Sequence, residues 1–533
     1  MGIYVNPGNE KYKRALRGPI YVDKSGMLEY TNRVLNTESG YICMSRPRRF
    51  GKSITAAMIA AYYSKGCDSR ELFQKLKISE SLGYEGHINN YDVIHVDMNV
   101  FRYRRDGEKE ETVSAMGAIS LFHKEIIEEL KEQYPACMTG EAVDLPTALS
   151  KINRETGAKF IIIIDEWDTI FREDKTDIKA QKAYIELLRG LFKNDTAKEF
   201  LALGYLTGIL PVKKYGTESA LNNFDEFTMA RPGQLAEYVG FTEEEVYELC
   251  REYPMDFEEM KRWYDGYSFR KAKHIYSPNS VVKAISYEEF GNYWTSTETY
   301  ESLKMYINMN FDGLKDAIVG MLSGGRCKVD ISTFENDMVS FGSRDDVLTV
   351  LIHLGYLAYD SEKREVYIPN EEVRSAFVGA IKKCDWTPVL EVINESDKLL
   401  QSTWRKDEKA VAKAIEKVHM NSVSVLQYND ENSLSCVISL AYYNAINEYT
   451  LVREMPAGQG YADIVFLPRK NSDKPAMIVE LKWNQSVESA IEQIKRRQYA
   501  NALEEYKGNL LLVAINYDKE SKEHQCRIEQ MDW

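Results

Sequence analysis

Cysteine and histidine are both scarce in this chain of 533 residues, with eight of one and seven of the other. The cysteines stand singly, with no CxxC pair and no histidine cluster beside them, so neither a structural zinc site nor a disulfide framework is expected. Buried free thiols are the expected state. No apolar run approaches the roughly 20 residues that a bilayer requires, and Met1, Gly2, Ile3 and Tyr4 do not begin a signal-peptide pattern. A cytoplasmic protein without a membrane partner is expected. An excess of positive charge is missing too: 82 acidic against 68 basic side chains give a formal charge of −14. That balance argues against a protein that coats nucleic acid over its whole surface, but leaves room for a local basic groove. Internal repeats and low-complexity linkers are also absent. What remains is the composition of a globular protein, 44% hydrophobic and 28% charged, long enough for about three or four domains.

The densest chemical signal lies near the C-terminus. Val479, Glu480, Leu481 and Lys482 end an apolar run through Ala476, Met477 and Ile478. Side chains alternate faces along a strand, so Glu480 and Lys482 share one face while Leu481 enters the core. Asp463 sits in a second strand, Ala462 to Leu467, and antiparallel pairing across the loop Pro468 to Pro475 brings all three polar groups together. Two carboxylates make a hard-cation site of the Mg²⁺ type, with Mn²⁺ an acceptable substitute. A lysine beside it can orient or deprotonate water for attack on a phosphodiester. The frame around them is a helix from Ser433 to Glu448, a strand from Leu451 to Met455, and a turn at Gly458 and Gly460. A helix with Val487, Ala490, Ile491 and Ile494 at helical spacing follows the Glu480 strand, and an apolar strand, Leu510 to Ile515, comes after it.

Helix, three strands, helix, strand, with an Asp…Glu-x-Lys pattern, resembles the PD-(D/E)XK nuclease superfamily, the restriction-endonuclease-like fold, over roughly the last hundred residues. The resemblance implies that Asp463 and Glu480 hold the metal and that Glu431, just before the first helix, supplies an extra acid. It also implies that Gln493 on the following helix orients water or a phosphate, with Tyr499 completing a Gln-Ile…Tyr pattern. One position departs from it: close relatives usually place an Arg two residues before the Asp, where this chain has Tyr461.

The second signal is the loop Arg46, Pro47, Arg48, Arg49, Phe50, Gly51, Lys52, Ser53. It follows a short apolar strand, Tyr41 to Met44, and opens a helix with Ile54, Ala57, Met58 and Ala61. A strand, a tight loop ending Gly-Lys-Ser and a helix N-terminus aim backbone N–H groups and a helix dipole at phosphates. Lys52 reaches the β and γ phosphates of ATP in this reading, and Ser53 ligates Mg²⁺. The usual GxxxxGK[ST] pattern has Gly where Arg46 stands. A second element supports the first: Phe160 through Ile164 is an apolar run ending in Asp165 and Glu166, the pattern of a buried parallel strand with function at its carboxyl end. Asp165 is expected to hold Mg²⁺ through water and Glu166 to polarise the hydrolytic water. A third strand, Phe200 to Thr207, ends in Thr207, a candidate sensor of the γ-phosphate.

These segments, together with Tyr21-Val22-Asp23-Lys24-Ser25, Thr207-Gly208, Leu221-Asn222-Asn223, Gly240-Phe241-Thr242-Glu243, Trp263-Tyr264-Asp265-Gly266-Tyr267 and Tyr293-Trp294, resemble the AAA-ATPase-like family found in bacteria. Arg46 is normal in that family, and a C-terminal PD-(D/E)XK domain is common. The resemblance spans nearly the whole chain and implies ATP binding and a nuclease-type fold in one polypeptide.

The expected architecture is α/β. It comprises a RecA/AAA-like P-loop NTPase sheet over residues 1–235, a helical lid over 236–300, a winged-helix-like connector over 301–385, and a restriction-endonuclease-like domain with a helical lead-in over 386–533. Phe241 to Trp263 reads as helical, and its aromatic neighbours as packing of the lid. Arg344 to Leu354 reads as a helix, followed by a hairpin of Tyr356 to Tyr359 and Val366 to Ile368. Basic clusters at Arg46, Arg48 and Arg49, at Arg102, Arg104 and Arg105, and at Lys495, Arg496 and Arg497 are the places to seek nucleic acid, DNA ahead of RNA. Lys213, Lys214 and Arg231 are candidates for an arginine-finger-type cation, and an oligomer is compatible with the reading. Two functions compete: an ATP-dependent, Mg-dependent nuclease, and an ATP-switched binding or signalling protein whose nuclease fold is catalytically passive.

Overall fold

The computed structural model describes residues 2–531 apart from 107–108, 139–143, 213, 216–217, 220, 271, 295–299, 336–337, 339, 385, 423–430, 458–459, 470–471, 498–502, 504–505 and 507. The chain divides into two compact units, Met1–Glu298 with Lys328–Val373, and Thr299–Cys327 with Arg374–Trp533.

The first unit is built on five strands: β1 (Tyr41–Ser45), β2 (Asp92–Asp97), β3 (Phe160–Asp165), β4 (Leu201–Gly208) and β5 (Asp225–Phe227), in the order β2-β3-β4-β1-β5. All neighbours are parallel. β1, β3 and β4 are buried along their whole length, which is why they read as continuous apolar runs rather than alternating ones. Because β4 lies between β1 and β3, Thr207 has Met44 on one side and Asp165 on the other. The carboxyl ends of the strands thus gather Asp97, Asp165, Thr207 and Ser45 along one edge of the sheet, where ligands of open α/β sheets bind. Ile126 and Leu130 from the helix Ala115–Gln133, and Leu188 and Phe192 from the helix Ile178–Phe192, share a core with Ile162 and Ile164 of β3.

Helix α1 (Lys52–Tyr63) follows β1. The lid is α2 (Glu243–Glu252), α3 (Phe257–Tyr264) and α4 (Pro278–Tyr287), packed through Val246, Leu249, Met260, Tyr264, Val281 and Ala284. The single helical stretch expected over Phe241 to Trp263 is two helices, broken at Pro254 and restarted by Asp256, whose side chain accepts from Glu259 N. Thr242 and Glu245 form a reciprocal capping box that fixes where α2 begins. Within the same unit α5 (Arg344–His353) precedes an antiparallel hairpin, Ala358–Asp360 with Glu365–Tyr367, in the order that a winged-helix-like segment predicts.

The second unit carries β6 (Tyr449–Ala457), β7 (Gly460–Pro468), β8 (Ala476–Trp483), β9 (Leu510–Asp518) and β10 (Glu523–Gln530), in that spatial order. Only β8 and β9 pair parallel. Helix α6 (Glu431–Ala441) precedes the sheet, and α7 (Val487–Arg496) makes the crossover that the parallel pair requires. The helix expected to run to Glu448 ends at Ala441 and continues as a 3₁₀ turn, Tyr443–Asn447. β10 was not expected: it is an edge strand whose sequence is mostly polar, so it lacks the apolar signature that marks β8 and β9. Ala462, Val465, Ile478, Ile494, Leu510 and Leu512 lie in the core beneath α7. The helices Thr387–Trp404 and Glu408–Ser422 form the lead-in. No disulfide joins the described cysteines, and no described helix is long and apolar enough to cross a membrane.

Candidate functional site

In the first unit the chain leaves β1 and reverses over Arg48 to Gly51 before entering α1. Gly51 caps that helix at φ +91°, with nothing within 4 Å of where a Cβ would stand, so backbone conformation rather than space calls for glycine there. Arg49 is also left-handed, at φ +66°. The reversal exposes Arg48 and Arg49 and buries Phe50 and Lys52. Lys52 Nζ donates to Pro47 O at 3.0 Å and lies 3.8 Å from Glu166 Oε1. Burial pulls the lysine pKa down, opposed by Glu166, Asp165 and Asp168. Arg46 takes a different place: it is fully buried and donates to Ser45 O at 3.0 Å and Phe227 O at 2.9 Å, which ties β1 to β5. Burial lowers its pKa to about 10.

The acids meet Lys52 from β3. Asp165 is buried, and burial raises its carboxyl to about 7; a hydrogen bond with Ser53 opposes the rise, whereas Asp97 and Glu166 add to it. Glu166 follows in the left-handed region, at φ +50°. Its Oε2 lies 2.5 Å from Arg172 Nη2. Asp168, fully buried, accepts from Ile209 N at 3.0 Å and Leu210 N at 2.8 Å and so holds the end of β4. A Cβ at Gly208 would come within 2.7 Å of Asp168 Oδ1, which accounts for the Thr207-Gly208 pair in the sequence. The Thr207 hydroxyl is buried beside Asp165 without a hydrogen-bond partner among the described residues. Lys52, Ser53, Asp165, Glu166 and Thr207 are therefore brought together, while Arg46 lies in the core.

A cavity of about 520 Å³ opens on this cluster. Arg48, Arg49, Lys52 and Ser53 line it, together with an apolar wall that includes Ile20, Val22, Met58 and Phe241. Lys24, from the Tyr21 to Ser25 motif, donates to Glu245 Oε2 and Glu237 O at 2.6 Å each and so fastens the wall to the lid. The aromatic motifs brace the loop. Trp294 Nε1 donates to Arg48 O at 3.1 Å, and Arg49 Nη1 to Tyr293 O at 3.3 Å. Both Tyr293 N and Trp294 N donate to Glu372 Oε1 at 2.6 Å, and Tyr267 packs edge-on to Phe50 while its hydroxyl donates to Gly355 O. The aromatic motifs thus do more than pack the lid, a role that no local spacing announces. Among the other expected cations, Arg102 is paired with Asp174 at 2.9 Å and Arg231 is exposed. Lys213 and the side chains of Lys214, Arg104 and Arg105 lie outside the described residues.

In the second unit the expected antiparallel pairing of β7 with β8 is present, Ile464 opposite Val479, which sets Asp463 across from Glu480. Asp463 Oδ2 accepts from Leu481 N at 2.7 Å. Glu480 is 1% exposed, and its Oε1 lies 3.1 Å from Lys482 Nζ and accepts from Gln493 Nε2 on α7. Its Oε2 is buried without a hydrogen-bond partner among the described residues. Burial, with Asp463 adding to it, raises the Glu480 carboxyl to about 7, against the pull of Lys482 and Arg497. A carboxylate that is buried, half-unsatisfied and beside a second acid suits a divalent cation. Among the described residues no group of three or more His, Cys, Asp or Glu is placed to hold a metal. The side chain of Glu431, at the start of α6, lies outside the described residues, as do Tyr499 and Gly458. Tyr461 is exposed at 63%, and Lys495 is paired with Glu529 at 2.6 Å. Arg497, the last of the basic run, is the one that bears on Glu480.

Residues 10–217 match the family described as Predicted AAA-ATPase, and residues 429–526 match the PD-(D/E)XK nuclease superfamily. The two matches fall in one polypeptide, in the order the motifs indicate. No curated protein matches the chain. Solved structures similar to it include the ORC2 protein of Aeropyrum pernix in ADPNP-ADP complexes, 11% identical, covering 69% of this chain and 98% of that one at a TM-score of 0.31. Another is the replication initiator DnaA bound to AMPPCP and single-stranded DNA, 10% identical, covering 73% and 95% at a TM-score of 0.28. A third is AMPPCP-bound DnaA from Aquifex aeolicus, 9% identical, covering 58% and 81% at 0.26. Likeness at this level carries no argument about activity.

Proposed function

From an AAA-ATPase-like region and a PD-(D/E)XK region in one chain, we propose a protein that binds and hydrolyses Mg-ATP in its first unit and cleaves nucleic-acid phosphodiesters in its second. The observation that carries the nucleotide half is the cavity of about 520 Å³ that joins an apolar wall to Lys52, Ser53, Arg48 and Arg49, a volume suited to a nucleotide-sized ligand. Phosphates exchange the Pro47 carbonyl and Glu166 for themselves as partners of Lys52, and the exposed Arg48 and Arg49 add charge at the same loop. Ser53 and Asp165 would hold Mg²⁺, and Phe50 and Gly51 set the loop geometry. Glu166 orients the hydrolytic water, and the unpartnered Thr207 hydroxyl senses the phosphate being lost. Arg46 supports the loop from the core.

In the second unit Asp463 and Glu480 would hold one or two divalent cations, Mg²⁺ or Mn²⁺, with Glu431 as a third acid. Such a cation supplies charge neutralisation and a more acidic bound water. Lys482 activates the attacking water, and Gln493 orients it or a phosphate. DNA is the favoured substrate. ATP binding licenses cutting by reorganising the lid. The passive-module reading draws on one observation, that Glu480 Oε1 is already engaged by both Lys482 and Gln493.

The test uses the purified full chain with labelled single- and double-stranded DNA and RNA, with and without ATP, Mg²⁺ and Mn²⁺, alongside calorimetry with Mg-ATP. ATP binding with metal-dependent cutting is expected. Nucleotide binding without cutting under any condition would favour the passive module, and the absence of nucleotide binding would overturn the first half.

A further inference from the structure

We infer that Arg172 is the positioning residue for Glu166: it holds one carboxylate oxygen so that the other faces the phosphate lysine. The inference rests on the reading of Glu166 as the base of ATP hydrolysis and adds to it a residue that no motif marks.

Arg172 sits on the short helix Thr169–Glu173 that follows Glu166, and only 6% of its side chain is exposed. Three acids surround it at unequal distances. Nη2 is 2.5 Å from Glu166 Oε2, Nε is 3.2 Å from Asp168 Oδ1, and Nη1 is 3.7 Å from Glu173 Oε1. Asp168 already accepts two backbone N–H groups from Ile209 and Leu210, so it does not depend on the guanidinium for its charge. Glu173 is more than a third exposed. Glu166 is the acid that depends most on Arg172. Its backbone is left-handed, a conformation that costs energy in a residue with a Cβ and persists where surrounding contacts impose it. The Thr169 hydroxyl donates to Glu166 O at 2.8 Å and braces that turn. With Oε2 held by Arg172, Oε1 is the atom turned toward Lys52 Nζ, 3.8 Å away. That is where phosphate, and the water that attacks it, would sit. When Lys52 turns to phosphate, the ion pair with Arg172 still fixes the orientation of the Glu166 carboxylate.

The experiment compares steady-state ATP hydrolysis by the full chain carrying Arg172→Gln, Arg172→Lys or Glu166→Gln, with Mg-ATP affinity from calorimetry and melting temperature alongside. Arg172→Gln should lower kcat by about ten- to hundredfold with KM and affinity unchanged, the signature of lost orientation. Arg172→Lys, which keeps the charge without the forked geometry of the guanidinium, should recover part of kcat. A wild-type kcat in Arg172→Gln, or a raised KM at constant kcat, would overturn the inference. Should Arg172→Gln fail to fold, Arg172→Lys decides alone: kcat reduced at constant KM supports the role, and KM raised at constant kcat overturns it. If Glu166→Gln hydrolyses ATP like the wild type, the base itself is wrong and the functional reading fails. If Glu166→Gln is inactive while Arg172→Gln is normal, only the role of Arg172 falls.

Discussion

Asp165 in the first unit and Glu480 in the second are both carboxylates buried on a strand near its end, and burial raises each to about 7. What surrounds them differs. Asp165 is balanced by groups from far along the chain: Lys52 and Ser53 from the loop before α1, with Arg172 from the next helix bearing on its neighbour Glu166. Glu480 is balanced by Lys482 two residues away and Gln493 on the crossover helix, with the like charge of Asp463 on the adjacent strand opposing them. The first is enclosed by a cavity with a lid, and the second is a patch on three neighbouring elements. A site assembled from distant pieces can be opened, closed and communicated with by many residues. A site built on one sheet edge is rigid and depends on few.

Removing Lys52 should test the first half of that contrast most severely. Its ammonium is buried at the mouth of the loop with Pro47 O as its resting partner, so Lys52→Ala should abolish detectable Mg-ATP binding. The loss corresponds to at least about a hundredfold in Kd, or ~3 kcal/mol for charge-assisted contacts to phosphate. Calorimetry checks it, and wild-type affinity in this variant would remove the phosphate loop from the comparison.

In the compact site the sharpest change is Lys482→Ala. A proton-handling side chain supplies about 10²–10⁴ in rate, so cutting should fall in that range while metal binding persists. Asp463→Asn should cost both. In metal-free protein that same change removes one of the influences that raise Glu480, so the Glu480 titration should move down from about 7; carboxylate NMR would follow it. Because cation binding to the wild type must displace the Glu480 proton, metal affinity should climb as pH rises toward about 7 and flatten above it. An affinity indifferent to pH would mean that Glu480 is not a ligand.

The same contrast governs what the sequence discloses. Glu480 and Lys482 share a face because strand side chains alternate, and Asp463 meets them because a single short loop separates its strand, so the nuclease half was readable from pattern alone. Lys52, Asp165 and Glu166 were readable for a related reason, since each ends or begins an unmistakable apolar element. Arg172 was not, and neither Asp168 nor the Tyr293-Trp294 motif discloses in sequence what it holds. Their partners lie across the fold, and no periodicity encodes that Trp294 meets Arg48 or that Gly208 must leave room for Asp168. Arg46 shows the converse: a position in the loop suggested phosphate, and only its burial against Phe227 reveals a pillar. β10 escaped because an edge strand can be polar.

Acid should separate the two kinds of titrating group within the second unit. His419 and His524 lie 3.3 Å apart in its interior, and burial lowers them to about 4 and about 3. Their folded values lie below the unfolded one, so the stability they contribute is complete above about 6.5 and is lost as pH falls toward the folded values. Glu480 has the opposite sign: its folded value lies above the unfolded one, so its contribution is present at low pH and is lost as pH rises through about 7. In metal-free protein, His524→Gln should therefore flatten the fall in melting temperature between pH 6.5 and pH 4, and Glu480→Gln should steepen it, each by roughly a few degrees. Calorimetric scans at fixed ionic strength measure both, and parallel curves for the three proteins would mean that neither group is coupled to folding.

The smallest expected effect probes the idea that the first site can be reached from a distance. The indole N–H of Trp294 meets the backbone oxygen of Arg48, and its own backbone is fastened with that of Tyr293 to Glu372. Trp294→Phe keeps the buried ring against Tyr356 and deletes a single hydrogen bond, worth about 1 kcal/mol. The loop then loses one brace on the side opposite the ligand, so its phosphate-binding conformation is populated less, and Mg-ATP affinity should drop about two- to fivefold. The melting temperature should fall by no more than a few degrees. Glu372→Gln makes the same point more strongly, since the amide can turn a donor toward the two N–H groups that the carboxylate now accepts. If both variants bind nucleotide as tightly as the wild type, the strap is packing alone, and the first site is as self-contained as the second.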